Sequence, residues 1–289
     1  MKINNKCVIG LVAGLLVALS TSLCFAGQYV PRKLTSEQMA QRALDYQEIE
    51  NVMSKHEYYH SLKLNKDEID TIWCKKAPNP SFGQNQGFFV GYKLLYETYR
   101  NGCEIMTNEA TEKMKKMYPE LAGKSDQEIY GVGSMIFHTT TTPIIEVAGD
   151  GKTAKGLWYS PGQVTEVGPD GPSGQWIWEK YAVDFVKEDG QWKIWHMLVV
   201  TDLVVDVGKS WTDKSYQAPM FSAGGKDKDG NDMTPPKRDG FQLPGPNYPG
   251  VNYQVYSKTR VPMDYPRMPE PYYTFSETFS YGVEGVPEQ

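Results

Sequence analysis

The sequence predicts an α+β fold, in which N-terminal helices cover an antiparallel β-meander and a long irregular extension follows. Three observations lead there. Apolar residues recur at helical spacing up to about residue 117. From Gly131 onward the period switches to two. Beyond residue 207 periodicity fades, and 11 of the 19 prolines fall there.

The chain has 289 residues, ample for an independent hydrophobic core. Its net charge is −5, and a nucleic-acid binder would carry a basic surplus, so that class is set aside. The first 26 residues read as a secretory signal peptide: Lys2 and Lys6, then an apolar run from Val8 to Leu19, then Cys24-Phe25-Ala26 as the cleavage site. The mature protein is therefore expected outside the cytoplasm, periplasmic or extracellular, with no membrane span after cleavage. Cys7 and Cys24 leave with the signal. Cys74 and Cys103 either pair in the oxidising compartment or stay as buried thiols.

Helix is predicted over 35–73, opened by the cap Thr35-Ser36-Glu37-Gln38 and split near Lys63 to Lys66. Residues 76–88 read as loop, and a second helix spans about 91–117. Strands follow near 133–142, 143–147, 153–167, 176–187 and 191–205. Gly149-Asp150-Gly151, Pro169-Asp170-Gly171 and Glu188-Asp189-Gly190 mark tight turns, so neighbouring strands run antiparallel. The domain is placed at 27–206. The Pro-, Gly- and Tyr-rich extension, 207–289, carries Tyr265, Tyr272, Tyr273, Phe275, Phe279 and Tyr281. So many rings are expected to pack on the barrel or on a neighbouring subunit.

The first helix has one informative face. Ile49, Val52, Met53, His56, then Tyr59 or His60, then Lys63 share it, and it turns from apolar to polar toward its end. Polar groups on a buried face need partners or a wet pocket. His56-Glu57-Tyr58-Tyr59-His60 also spells H-E-x-x-H, the string of a zinc hydrolase with Glu57 as base, though no third ligand has supporting context. The site residues therefore include no metal ligand. On the second helix Tyr92, Tyr96 and Tyr99 form a stripe that is either core or pocket wall. His138 opens a run of hydroxyls on a strand. Trp158-Tyr159 and Trp176-Ile177-Trp178 offer aromatic walls. The last strand alternates Trp192, Ile194, His196, Leu198, Val200 and Asp202 on one face, which makes His196 a second candidate inside the barrel.

Tyr58-Tyr59-His60-Ser61-Leu62, Phe137-His138, Thr142-Pro143-Ile144-Ile145-Glu146-Val147, Ala154-Lys155-Gly156-Leu157-Trp158-Tyr159, Lys180-Tyr181 and Asp189-Gly190-Gln191-Trp192-Lys193-Ile194 together resemble the SnoaL-like branch of the nuclear transport factor 2-like superfamily, of the bile-acid 7α-dehydratase and scytalone dehydratase type. The resemblance implies a cone-shaped, strongly curved sheet, a deep apolar pocket, and a homodimer or homotrimer. It implies His138 as base and Tyr58 or Tyr59 as the assisting phenol. The family's acidic residue after the helix Tyr falls near Lys63, a strand carboxylate falls on Gly162, and an Arg falls on Thr201. The expected catalytic set is His138, Tyr58, Tyr59 and Lys63, in a pocket lined by His60, Tyr96, Trp158, Tyr159 and His196. The expected activity is that of an exported, cofactor-independent lyase, dehydratase or isomerase. Its substrate would be an apolar cyclic or aromatic hydroxylated small molecule. A non-catalytic periplasmic binding or assembly protein fits the same sequence.

Overall fold

The computed structural model describes residues 34–85, 87–168, 171–213, 245–251, 253–283 and 285–286. The signal-peptide reading of residues 1–26 lies outside them. Helix α1 (Ser36–Ser61) starts at a capping box: the Thr35 hydroxyl accepts from the Gln38 N–H, and the Gln38 side chain accepts from the Thr35 N–H. The face read from the sequence is the face buried, with Ile49, Val52, Met53 and His56 all in the interior. After α1 the chain turns through Lys63, whose φ is 58°. It re-enters helix as α2 (Asn65–Thr71). The second predicted helix is α3 (Tyr92–Leu95), a π-helical stretch (Tyr96–Gly102) and α4 (Cys103–Met117) in unbroken succession. No helix among the described residues is long and apolar enough to cross a membrane.

Among the described residues eight strands form one open, mixed sheet: β1 (Ser81–Gln84), β2 (Gly87–Val90), β3 (Met135–His138), β4 (Thr141–Val147), β5 (Thr153–Gly168), β6 (Gly171–Glu188), β7 (Gln191–Asp206) and β8 (Tyr248–Pro249). The order is β3-β5-β6-β7-β1-β2-β8, and β4 also pairs with β5. The meander β4 to β7 is antiparallel, as expected. Two corrections follow. Residues 81–90 are not loop but a hairpin, and β1 runs parallel to β7, so the sheet is mixed rather than antiparallel throughout. The hairpin is four residues a side and carries Gly83, which leaves room for the Phe88 ring. Strands so short show no alternation.

Helices α1 and α2 pack on the inner face of the sheet, around Ile49, Met53, Trp73, Trp158, Tyr181, Phe185 and Ile194. The outer face carries Ala182, Leu198 and Val200, against which Tyr253 and Tyr281 of the extension pack. Cys74 and Cys103 are free thiols. Burial pushes both thiols up, Cys103 to about 11.

Candidate functional site

The chemistry collects where the end of α1 meets the inner face of β3 and β6. One turn of α1 aims His56, Glu57 and His60 at the sheet, since residues three and four apart share a helix face. His138 sits at the last position of β3, opposite Gly162 of β5, which itself pairs with Ile177 of β6. Glu179 and Tyr181 lie two and four residues on from Ile177, so the pleat turns all three the same way.

The rings form a chain. His56 and His60 stack with centroids 5.7 Å apart, His60 meets His138 edge-on at 5.5 Å, and His56 and His138 lie 5.4 Å and 6.5 Å from Tyr181. His138 Nδ1 is 3.0 Å from Glu179 Oε2, and the two side chains are 6% and 8% exposed. Nδ1 faces that carboxylate in a close contact whose angle falls short of an aligned hydrogen bond. Thr201, on which the family's Arg falls, donates its hydroxyl to Glu179 Oε1 at 3.0 Å.

Beneath this layer Glu68 of α2 is fully buried and holds three groups on one oxygen. His56 Nδ1 is 2.6 Å away, the Tyr99 hydroxyl donates at 2.8 Å, and the Trp73 indole N–H at 3.4 Å. Several polar atoms are buried with no protein partner: His56 Nε2, both carboxyl oxygens of Glu57, His60 Nδ1 and Glu68 Oε2. Buried polar atoms are normally bonded, so a cluster of bare ones marks a place where water or a ligand completes the set.

Burial sorts the protonation states. It pushes the Glu57 carboxyl up to about 7, against the pull of His56 and His138. It lowers His60 well below the usual histidine value, with help from the charges of His56, His138 and Lys63, so that imidazole is neutral. Burial also works to lower His56, but Glu68 beside it, aided by Glu57 and Glu179, carries it above the usual value. Tyr181, buried among Glu57, Glu179 and Glu68, is raised well above the usual phenol value and remains a donor. A carboxylic acid that keeps its proton near neutrality therefore stands with a carboxylate-backed imidazole, the pairing that divides acid and base roles.

The residues expected from the sequence scatter. His138 and His60 lie in the cluster, and Lys63 is near enough to His60 to depress it. Tyr58 is turned to solvent, 68% exposed, and takes no part. Tyr59 is half-buried against the inner core. Tyr96 packs there too, against Tyr92 and under the Arg100 guanidinium at 4.4 Å. Trp158 fills the interior by lying over Gly156 and against Phe185. Tyr159 is exposed on the outer face. His196 is also on the outer face, not inside the barrel: a bulge in β7 pairs Asp184 with His196 but Phe185 with Ile194. The extra residue, Trp195, reverses the alternation read from the sequence. As for H-E-x-x-H, His56 spends Nδ1 on Glu68. Among the described residues no set of three or more His, Cys, Asp or Glu side chains is disposed to hold a metal ion.

Sequence reasoning missed Glu68, Glu179 and Tyr181, and took Glu57 only as part of a zinc string. The carboxylates that the family pattern places near Lys63 and Gly162 are absent there. Glu57 and Glu179 bring two carboxyls to the cluster by other routes.

The sequence model of the SnoaL-like domain matches residues 41–198, from within α1 into β7. No protein of curated function matches the chain in sequence. Among solved structures, the hexachlorocyclohexane dehydrochlorinase LinA-type3 from Novosphingobium barchaimii LL02 is similar at 12% identity, over 60% of this chain and 96% of its own, with a TM-score of 0.39. A scytalone dehydratase-like protein from Novosphingobium aromaticivorans DSM 12444 is similar at 13% identity, over 60% and 99%, with a TM-score of 0.40. A nuclear transport factor 2-like superfamily protein from Salmonella enterica serovar Typhimurium LT2 is similar at 16% identity, over 58% and 99%, with a TM-score of 0.37. The domain match takes in more than half of the sequence, and by it the chain belongs to the SnoaL-like domain family.

Proposed function

We propose that this chain is an exported, cofactor-independent lyase or isomerase. It moves protons on an apolar cyclic or aromatic hydroxylated small molecule, and it works as a homo-oligomer. The observation that carries the reading is the His138–Glu179 pair, set in a buried cluster with a Glu57 carboxyl raised to about 7. Dehydratase- and dehydrochlorinase-type names among the similar structures accord with it.

In this reading Glu179 fixes the imidazole through Nδ1, and His138 Nε2 removes an acidic C–H proton. As the carbon–carbon double bond forms, the neighbouring hydroxyl leaves and takes the Glu57 proton, departing as water. His138 then returns the abstracted proton to Glu57 through water, and both groups are reset. If no hydroxyl leaves, the same two groups shift a proton between carbons. The Tyr181 phenol and neutral His60 supply hydrogen bonds to the enolate oxygen. Glu57 thus takes the acid role expected of Tyr58 or Tyr59, Lys63 acts by keeping His60 neutral, and Tyr59 is wall.

The test uses a panel of β-hydroxy ketones on fused or aromatic rings, followed by absorbance of the conjugated product and by deuterium uptake from heavy water. His138→Ala and Glu57→Gln are each expected to lower turnover by about 10²- to 10⁴-fold, the usual worth of one acid–base group. Unchanged turnover in His138→Ala removes the mechanism.

A further inference from the structure

The C-terminal extension lies outside the SnoaL-like match and has no part in the chemistry above. Where it crosses the outer face it borders a half-open cavity of about 540 Å³. Phe88 of β2 and Leu198 of β7 form its floor, and Tyr265, Phe279 and Tyr281 its walls. Arg267 is the one charged residue among the described residues that line it. We propose that this cavity is a second ligand site, for a small ring compound carrying a carboxylate or sulfonate. The inference does not rest on the lyase reading.

Three features support it. The volume lies within the range of sites for small molecules, about 300–1,000 Å³. Its walls are also fixed in advance. Asp184 of β6 accepts the Tyr281 N–H at 2.8 Å and the Ser280 hydroxyl at 3.0 Å. The Tyr281 hydroxyl in turn donates to the Arg267 carbonyl at 2.6 Å. Phe279 and Tyr281 meet edge to face at 5.1 Å, and the Arg267 guanidinium lies 4.8 Å from the Phe279 ring.

Charge then selects the ligand. Asp184, beneath this wall, is balanced by Lys155 Nζ at 2.5 Å, and His196 Nδ1 lies in hydrogen-bond contact with it at 2.9 Å. Arg267 pairs with Glu270 at 3.0 Å, but both side chains are more than half exposed, and such a pair is held weakly. A ligand anion at the rim can take its place, while the ring lies among Tyr265, Phe279 and Tyr281.

The probes are 2-naphthoate and its neutral counterpart 2-naphthalenemethanol, titrated into the full-length protein by calorimetry and ligand-observed NMR. Saturable naphthoate binding is expected. Val251→Trp, which fills the cavity, is expected to weaken both probes at least 10-fold. Arg267→Gln is expected to weaken naphthoate at least 5-fold and to leave the alcohol unchanged. A thermal melt by circular dichroism checks that each variant folds. Absence of saturable naphthoate binding up to millimolar concentration overturns the site, as does binding that neither variant alters. If Val251→Trp blocks binding but Arg267→Gln does not change it, the assignment to anions is wrong.

Discussion

Glu57 shows what a buried environment does to an ordinary carboxyl. The folded protein keeps its proton up to about pH 7, whereas the unfolded chain releases it near 4.5. Between those values the folded state binds more protons, so stability falls as pH rises through that window and stays reduced above it. Glu57→Gln removes this loss. The variant is expected to match the wild type near pH 4 and to exceed it by about 1–3 kcal/mol at pH 8 in urea titrations. Equal stability at both pH values would contradict the raised carboxyl. The alkaline limb of the activity profile near pH 7 is expected to vanish in the same variant. At this scale the sequence yields His138, because a strand histidine before a run of hydroxyls is visible in one line of text. Glu179 is not visible, since it meets His138 only after β3, β5 and β6 fall into register. Helical spacing puts Tyr59 or His60 on the buried face of α1, whereas Tyr58 entered only through the family resemblance and is turned to solvent.

At the scale of elements, α1 was the most readable part of the chain. Its stripe and its cap follow from helical spacing and from Thr35 and Gln38. The α2 segment matters through Glu68, which anchors His56, Tyr99 and Trp73 from a helix of seven residues. Glu68→Ala strands a buried imidazole and a buried phenol. It is expected to cost about 3–5 kcal/mol in chemical denaturation. Glu68→Gln keeps acceptor capacity and is expected to lose less. A cost below about 1 kcal/mol for Glu68→Ala would mean that the network is not structural. The β1–β2 hairpin and the π-helical stretch escaped the sequence reading for different reasons. The hairpin is too short for periodicity, and Tyr96–Gly102 carries the same residue types as an α-helix. The bulge at Trp195 escaped because one extra residue leaves no mark in the sequence yet moves His196 from one face to the other.

For the whole molecule, the outer face divides in two. One end lies under the extension. The other shows Met135, Phe137, Ile144, Tyr159, Trp176 and Trp178, between 39% and 53% exposed. Cross-strand pairing sets all six on one side. Half-exposed side chains of this size leave roughly 100 Å² each, or about 600 Å² together. That approaches the roughly 800 Å² each partner gives to a standard interface. We propose a second copy of this ring-rich surface as its occupant, with Lys180 over the Tyr159 ring at the edge of the patch. Sedimentation velocity is expected to find an oligomer at micromolar concentration and a monomer for Trp176→Glu. A monomeric wild type would rule the association out. The helices-then-meander architecture was readable because it rests on a change of period along the chain. The extension was readable only in composition, since its contacts are to strands far back in the sequence.

Lys155 is wholly buried, with Phe275 and Phe279 each 4.6 Å and Tyr281 5.0 Å from its ammonium group. Those rings follow every long strand in chain order. Synthesis from the N-terminus therefore delivers β1 to β7 while Lys155 and Asp184 still face water, and only the later arrival of Phe275, Phe279 and Tyr281 shuts the pair in. A chain cut before Phe275 keeps every long strand yet leaves that ionic core uncovered.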